Sequence, residues 1–281
     1  MGSRGWKAGA LLAVLAGAVA LGAHGGRCRG AGAGARLVAT GSSTLAPLMA
    51  EIGKRFEAHH PGVRVDVQAG GSSRGVQDVL AGMAGLGLVS RPLLGAEAAQ
   101  LRAFALARDG IALIAHATNP LPGLSTPQVR AIFRGQLTRW EQLGGRPGPI
   151  TVVSKAAGRG TLLVFLEHFG LQAAEIRAQA LVGDNEHGVK TVAANPGAIG
   201  YVSIGTAAAD VRRGVPIKLL ALDGVVPSAE QIAAGRYPLV RPLLLVTRGE
   251  PGGLVRELLD FARAEGVDDL VRTQGFVPLE R

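Results

Sequence analysis

The sequence predicts an α/β protein in which one lobe is inserted into another. Apolar segments of strand length alternate with amphipathic helical segments along the chain. Two apolar strands, at residues 111–115 and 243–246, lie far apart in sequence and enclose a block with strands and helices of its own. Such a block indicates a second lobe joined to the first by two crossing strands, which would form a hinge. We expect lobe 1 to comprise residues 36–113 and 244–281, and lobe 2 to comprise residues 114–243.

The first 28 residues are predicted to be a secretory signal peptide outside the fold. Basic residues precede an apolar run over residues 8–23, which is too short for a comfortable transmembrane helix. Cys28, the one cysteine in the chain, is a candidate site of lipid attachment. The alternative is cleavage upstream of an unmodified cysteine. Residues 29–35 then form a Gly/Ala linker, and the single cysteine predicts no internal disulfide.

Composition narrows the class of partner. The chain has 30 basic and 21 acidic residues, and three of the basic ones fall in the signal segment, which leaves a net charge of about +6. Export and an aromatic content of 4% argue against nucleic acid, whereas a modest positive field suits small anions. The six histidines form no metal-binding motif and no P-loop occurs, so we expect no metal and no cofactor.

The individual elements follow from apolar periodicity. Continuous or alternating apolar runs predict strands at residues 37–39, 63–67, 86–89, 111–115, 150–153, 199–202 and 243–246. One-sided apolar spacing predicts helices that carry Leu48, Ile52 and Phe56; Val76, Val79, Leu80 and Met83; Leu162, Phe165, Leu166 and Phe169; and Leu254, Leu258, Phe261 and Ala262.

Three short turns rich in glycine and hydroxyl residues each run into a predicted helix. They are Gly41-Ser42-Ser43-Thr44, Gly70-Gly71-Ser72-Ser73-Arg74-Gly75 and Gly158-Arg159-Gly160-Thr161. A helix start carries unpaired N–H groups and a partial positive charge, glycine lets a ligand approach, and hydroxyls donate hydrogen bonds. One such turn is explained by helix capping alone, but three in one chain indicate a shared oxyanion pocket. Arg91, Lys155 and Arg159 lie beside hydroxyl residues and could supply charge.

A serine esterase is the alternative of another class. Residues 71–75 match the G-x-S-x-G nucleophile motif around Ser73, and Asp109 or Asp184 followed by His187 would complete a triad in the order Ser…Asp…His. However, at most two predicted strands precede Ser73, no oxyanion segment lies upstream, and two hydroxyl-rich turns would stay unexplained. These points favour a binding protein.

The sequence resembles the periplasmic phosphate-binding proteins of phosphate ABC transporters, over about residues 37 to 277. The resemblance is carried by the three turns and by Gly87-Leu88-Val89-Ser90-Arg91, Ile132-Phe133-Arg134-Gly135 with Trp140 and Gly144-Gly145, Asn195-Pro196-Gly197-Ala198-Ile199-Gly200-Tyr201-Val202, Arg236-Tyr237-Pro238-Leu239 and Arg241-Pro242-Leu243. It implies a type II periplasmic-binding-protein fold that closes on its ligand. It also implies a non-enzymatic, extracytoplasmic and monomeric protein that delivers inorganic phosphate to a membrane permease.

The resemblance also implies a ligand set. The phosphate would be held by Ser43, Thr44, Ser72, Ser73, Ser90, Arg91, Lys155, Arg159, Gly160 and Thr161. Ser90 stands where many members carry an acidic residue that accepts the phosphate proton. The third turn has Arg159 where the family usually has serine, and Lys155 where it usually has arginine. We therefore expect looser selection of phosphate over sulfate. Two alternatives remain among binding proteins: the ligand is another tetrahedral oxyanion, or the protein is a phosphate sensor that serves no transporter.

Overall fold

The computed structural model describes residues 34–280. The predicted signal peptide, Cys28 and residues 29–33 of the predicted linker lie outside the described residues. Within residues 34–280, strands and helices alternate and confirm the α/β class. No helix in this part of the chain is long and apolar enough to cross a membrane.

The strands and helices have the following bounds. The strands are β1 (Ala35–Gly41), β2 (Val63–Ala69), β3 (Leu86–Val89), β4 (Leu101–His116), β5 (Gly123–Leu124), β6 (Thr151–Lys155), β7 (Ala180–Val182), β8 (Ala198–Ser203), β9 (Ile217–Leu222), β10 (Val240–Arg248) and β11 (Val277–Pro278). The helices are α1 (Ala46–His59), α2 (Ser72–Leu80), α3 (Gly95–Ala98), α4 (Thr126–Phe133), α5 (Gly160–Phe169), α6 (Asn185–Ala193), α7 (Ile204–Arg212), α8 (Ala229–Ala233), α9 (Gly253–Ala262) and α10 (Asp268–Thr273). Short 3₁₀ turns cover Trp140–Leu143, Ala173–Glu175 and Glu265–Val267.

The strands form one hydrogen-bonded path in the order β2-β1-β3-β10-β4-β8-β6-β7. β1 pairs in parallel with β2 and β3, and β10 pairs antiparallel with β3 and β4. The 16-residue strand β4 changes partners along its length. Residues 101–110 pair with β10, whereas residues 111–116 pair with β8 and β9. β4 therefore belongs to both halves of the path.

The hydrophobic core is divided in the same way. One cluster contains Leu113 and Leu220 together with an aromatic group in which the rings of Phe165 and Tyr201 stack with centroids 3.9 Å apart. A second cluster packs α1 and α9 against the opposite part of the sheet through residues such as Ile52. Apart from Val277, the first cluster draws its buried members from residues between 111 and 239. We retain the predicted two-lobe division as a proposal.

Most predicted helix faces are buried as expected, with one correction. Leu48, Ile52 and Phe56 on α1 are buried, as are the four predicted positions of α5. The prediction that Met83 lies on the buried face of this helix is wrong, because α2 ends at Leu80 and the Met83 side chain is 65% exposed. Gly82, in the left-handed region at φ +72°, turns the chain away before Met83 can join the helical face.

Candidate functional site

Within the described part of the chain, four helix N-termini converge on one small cavity. Three of them, at α1, α2 and α5, follow the predicted turns. The fourth is α6, whose capping residue Asp184 accepts a hydrogen bond from the His187 N–H at 2.7 Å. The cavity is lined by Ser42, Ser43, Thr44, Gly71, Ser72, Ser90, Lys155, Arg159, Gly160, Thr161, Gly183, Asp184 and Asn185. The partial positive charge at the N-termini of several helices makes such a cavity suited to an anion of a few atoms.

Eight of the ten residues predicted as ligands line this cavity. They are Ser43, Thr44, Ser72, Ser90, Lys155, Arg159, Gly160 and Thr161. The structure brings them together from segments that are far apart in sequence, because β1, β3 and β6 all end at this edge of the sheet. Ser73 and Arg91 are not among the lining residues.

Arg91 is a correction to the predicted ligand set. Its guanidinium is buried and donates to both carboxylate oxygens of Glu97, at 2.7 and 2.8 Å, and to the Pro92 carbonyl at 2.9 Å. Glu97 on α3 therefore neutralises Arg91 and directs it away from the cavity. Of the three predicted cations, Lys155 and Arg159 line the cavity in the described part of the chain.

The triad required by the esterase alternative is not assembled. Ser73 contacts the opposite turn through its backbone N–H, which donates to the Gly158 carbonyl at 3.2 Å. Asp109 accepts from Ser203 at 3.0 Å, and Asp184 caps α6. Among the described residues, no hydrogen bond joins the Ser73 side chain to a histidine or an aspartate.

Three serine hydroxyls form the floor of the cavity. Ser42 Oγ donates to Ser90 Oγ at 2.9 Å, and the Ser90 N–H donates to Ser72 Oγ at 3.0 Å. All three residues are buried. These bonds fix the first two turns and the end of β3 relative to each other. Hydroxyls can donate or accept, so this floor can adapt to oxyanions in different protonation states.

Arg241 on β10 is the central residue that the sequence prediction missed. It is fully buried and donates to Asp109 Oδ2 from both Nε and Nη2, at 3.0 and 2.8 Å. The same guanidinium donates to Thr161 Oγ1 at 2.7 Å and to Thr44 Oγ1 at 3.1 Å. Arg241 thus holds the turn before α1 and the first turn of α5 around the cavity, with Asp109 as its counter-charge. Burial raises the pKa of Asp109, and the contact with Arg241 opposes that shift.

The two cations that line the cavity differ in their environments. Lys155 ends β6, and its Nζ donates to the Asp184 carbonyl at 2.5 Å. Burial lowers the pKa of Lys155 to about 7, with Asp184 opposing the shift and the charges of Arg241 and Arg159 adding to it. Arg159 is half-buried, and although its backbone carbonyl accepts from the Leu162 N–H at 3.1 Å, its guanidinium makes no hydrogen bond or ion pair within residues 34–280. Its donors are therefore free to meet an anion in the cavity.

Comparison with known proteins places this chain in a family. A family model described as the PBP superfamily domain matches residues 29–265. The phosphate-binding protein PstS of Bacillus subtilis is 32% identical over 250 residues, which cover 86% of this chain and 80% of the relative. A solved structure of a putative phosphate ABC transporter substrate-binding protein with bound phosphate, from Clostridium perfringens, aligns with a TM-score of 0.82 at 30% identity. The alignment covers 87% of this chain and 100% of the Clostridium perfringens chain.

A second solved structure agrees with the first. An ABC-type phosphate transport receptor from Vibrio cholerae aligns with a TM-score of 0.73 at 28% identity, over 87% of this chain and 100% of that chain. The chain belongs to the PBP superfamily and, within it, to the PstS family of phosphate-binding proteins. This is a family of substrate-binding proteins rather than enzymes.

Proposed function

We propose that this member of the PstS family captures inorganic phosphate between two lobes and delivers it to the permease of an ABC transporter. The observation that carries the proposal is the convergence of four helix N-termini, the serine floor and two cations on one small cavity within the described residues. A tetrahedral oxyanion needs donors from several directions, and this arrangement supplies them. The phosphate bound in the Clostridium perfringens structure supports the same assignment.

The proposed lobes each supply part of the binding shell. Ser72 and Ser90 come from proposed lobe 1, whereas Lys155 and Arg159 come from proposed lobe 2. Two contacts join the sides beside the cavity: the Ser73 N–H donates to the Gly158 carbonyl, and Asn185 Nδ2 donates to Thr44 Oγ1 at 3.1 Å. An anion that contacts both lobes favours the closed state over an open one. We propose hinge motion at β4 and β10 as the means of capture.

The cellular setting completes the proposal. The protein would be exported by its N-terminal signal peptide, with Cys28 as the candidate lipid anchor, and would act outside the cytoplasm as a monomer. It would have no catalytic activity and would bind no cofactor. The transporter permease would be its macromolecular partner.

Calorimetric titration tests the proposal directly. The exported form of the chain should bind phosphate with one site per molecule and should bind arsenate, which has the same charge and shape, in the same cavity. Sulfate and tungstate complete the series and separate phosphate from other tetrahedral ligands. Absence of heat with every one of these anions, together with ester hydrolysis that Ser73→Ala abolishes, would overturn the proposal in favour of the esterase.

Sulfate is expected to compete with phosphate because, on the family resemblance, Ser90 stands where many members, though not all, carry an acidic residue. A carboxylate would repel sulfate, which has no proton to share, whereas the Ser90 hydroxyl can also donate. Introducing the acid with Ser90→Asp should increase discrimination against sulfate by roughly tenfold to a hundredfold, since a buried unpaired group costs about 1–3 kcal/mol. Competition calorimetry measures the ratio of the two dissociation constants.

Asp184 provides the matched control for this prediction. It also lines the cavity, but its carboxylate already accepts the His187 N–H. Asp184→Asn should therefore leave the sulfate-to-phosphate ratio unchanged. If that variant relaxes discrimination, or if the unmodified protein rejects sulfate at large excess, Asp184 rather than Ser90 sets the selectivity.

Gly160→Ala is expected to weaken phosphate binding by about tenfold to a hundredfold, the equivalent of an overpacking cost of about 1–3 kcal/mol. A Cβ atom at Gly160 would lie 2.5 Å from Ser72 Oγ and 3.0 Å from Ser90 Oγ, so the first turn of α5 would have to move away from the serine floor. Gly266→Ala is the control, because a Cβ atom there meets nothing within 4 Å. Equal affinity in both variants, measured by calorimetry, would show that α5 does not close on the anion this tightly.

A further inference from the structure

A second and larger cavity lies on the other side of Thr44. We call it the side cleft; it is lined in part by Thr44, Pro47, Glu186, Thr206, Arg212 and Phe276. Thr44 also lines the oxyanion cavity, so the two spaces adjoin at this residue. The lining of the side cleft is largely polar and could solvate a hydroxyl-bearing group.

Asn185 stands at the boundary between the two cavities. It is buried and lines the oxyanion cavity, while its neighbour Glu186 lines the side cleft. Asn185 Nδ2 donates to Thr44 Oγ1 at 3.1 Å and lies 3.4 Å from Thr206 Oγ1. These bonds tie the first residue of α6 to the turn before α1 on one side and to α7 on the other. The Asn185–Thr44 pair therefore forms a wall between the cavity and the cleft.

We propose that Asn185 determines the substrate class of this site, restricting it to inorganic oxyanions by excluding phosphate monoesters. The inference rests on the proposed function. A monoester held with its phosphoryl group in the oxyanion cavity must place its organic substituent somewhere, and the side cleft offers adjoining space that this wall closes. Inorganic phosphate has no substituent, so the wall costs it nothing.

Shortening the Asn185 side chain should open the wall while Thr44 stays in position. Thr44 Oγ1 also accepts from Arg241 Nη2 at 3.1 Å, so it stays anchored when Asn185 is shortened. Asp184, which caps α6, is likewise unaffected by the substitution. Asn185→Gly and Asn185→Ala should thus join the oxyanion cavity to the side cleft while keeping the remaining donors in place.

The test compares inorganic phosphate, methyl phosphate and glycerol 3-phosphate by calorimetry. In the unmodified protein both esters should bind more weakly than phosphate by about a hundredfold or more. Asn185→Gly and Asn185→Ala should narrow the ratio for glycerol 3-phosphate by about tenfold or more, because its hydroxyls can enter the polar side cleft. Thermal melting of both variants verifies folding, and Asn185→Ala supplies the result if the glycine variant does not fold.

Thr206→Ala is the matched control. It removes the second partner of Asn185 and enlarges the side cleft, but it leaves the Asn185–Thr44 bond in place, so it should not admit esters. Ester-to-phosphate ratios that stay within about twofold of the unmodified protein in both Asn185 variants would overturn the inference while the proposed function stands. So would tight binding of glycerol 3-phosphate to the unmodified protein. Failure to bind inorganic phosphate at all would overturn the proposed function first.

Discussion

Replacing Arg241 with alanine is expected to destabilise the folded protein by about 3–5 kcal/mol, because it leaves the Asp109 carboxylate buried without its counter-charge. Both side chains are fully buried, and their closest nitrogen and oxygen atoms are 2.8 Å apart. The substitution also removes the donor shared by Thr44 and Thr161, so phosphate affinity should fall as well. Chemical denaturation followed by circular dichroism measures the loss of stability.

A double variant separates the two effects. Asp109→Leu combined with Arg241→Met replaces the ion pair with apolar side chains, and such replacements of a buried pair are often neutral or stabilising by about 1–4 kcal/mol. We expect it to recover the stability lost in Arg241→Ala without recovering phosphate binding, because Thr44 and Thr161 stay without their common donor. If the double variant binds phosphate like the unmodified protein, Arg241 serves the fold alone.

The parts of the site that the sequence predicts are those with local signals. Each of the three turns combines glycine, hydroxyl residues and a following apolar helix face within a few positions, so its role at a helix start is visible without the structure. α1 and α5 begin where these patterns place them. Strand β4 shows the limit: its first half carries Arg102, Arg108 and Asp109, and this mixed polarity hides a strand that the structure pairs with β10.

Contacts between segments that are far apart in the chain could not be predicted from the sequence. Asp109 and Arg241 are 132 residues apart, and nothing local marks either as the partner of the other. Thr44 and Asn185 are 141 residues apart. The prediction that Arg91 is a ligand fails for a related reason: its position next to Ser90 in the sequence does not determine the direction of its side chain. Glu97, six positions later, was the available signal that Arg91 has a local partner.

Phosphate affinity is expected to fall as the pH rises above 7, because Lys155 loses its charge there. Burial lowers the pKa of Lys155 to about 7 in the protein without ligand, and only the ammonium form attracts the anion. Above that pH the affinity should decrease by up to about tenfold per pH unit from this group. Phosphate itself also ionises near neutral pH. Lys155→Arg provides the matched control, since its guanidinium stays charged while the ligand titrates in the same way.

The free energy of unfolding should change with pH in the opposite direction to the phosphate affinity. The pKa of Lys155 is lower in the folded chain than its ordinary value of 10.5, so the unfolded chain binds more protons between about pH 7 and 10.5. The free energy of unfolding should therefore rise with pH across this window, by up to about 1.4 kcal/mol per unit relative to Lys155→Met. The protein without ligand would become more stable as it loses affinity for phosphate. Parallel pH profiles of affinity in the unmodified protein and Lys155→Arg, or of stability in the unmodified protein and Lys155→Met, would show that Lys155 stays charged in the folded chain.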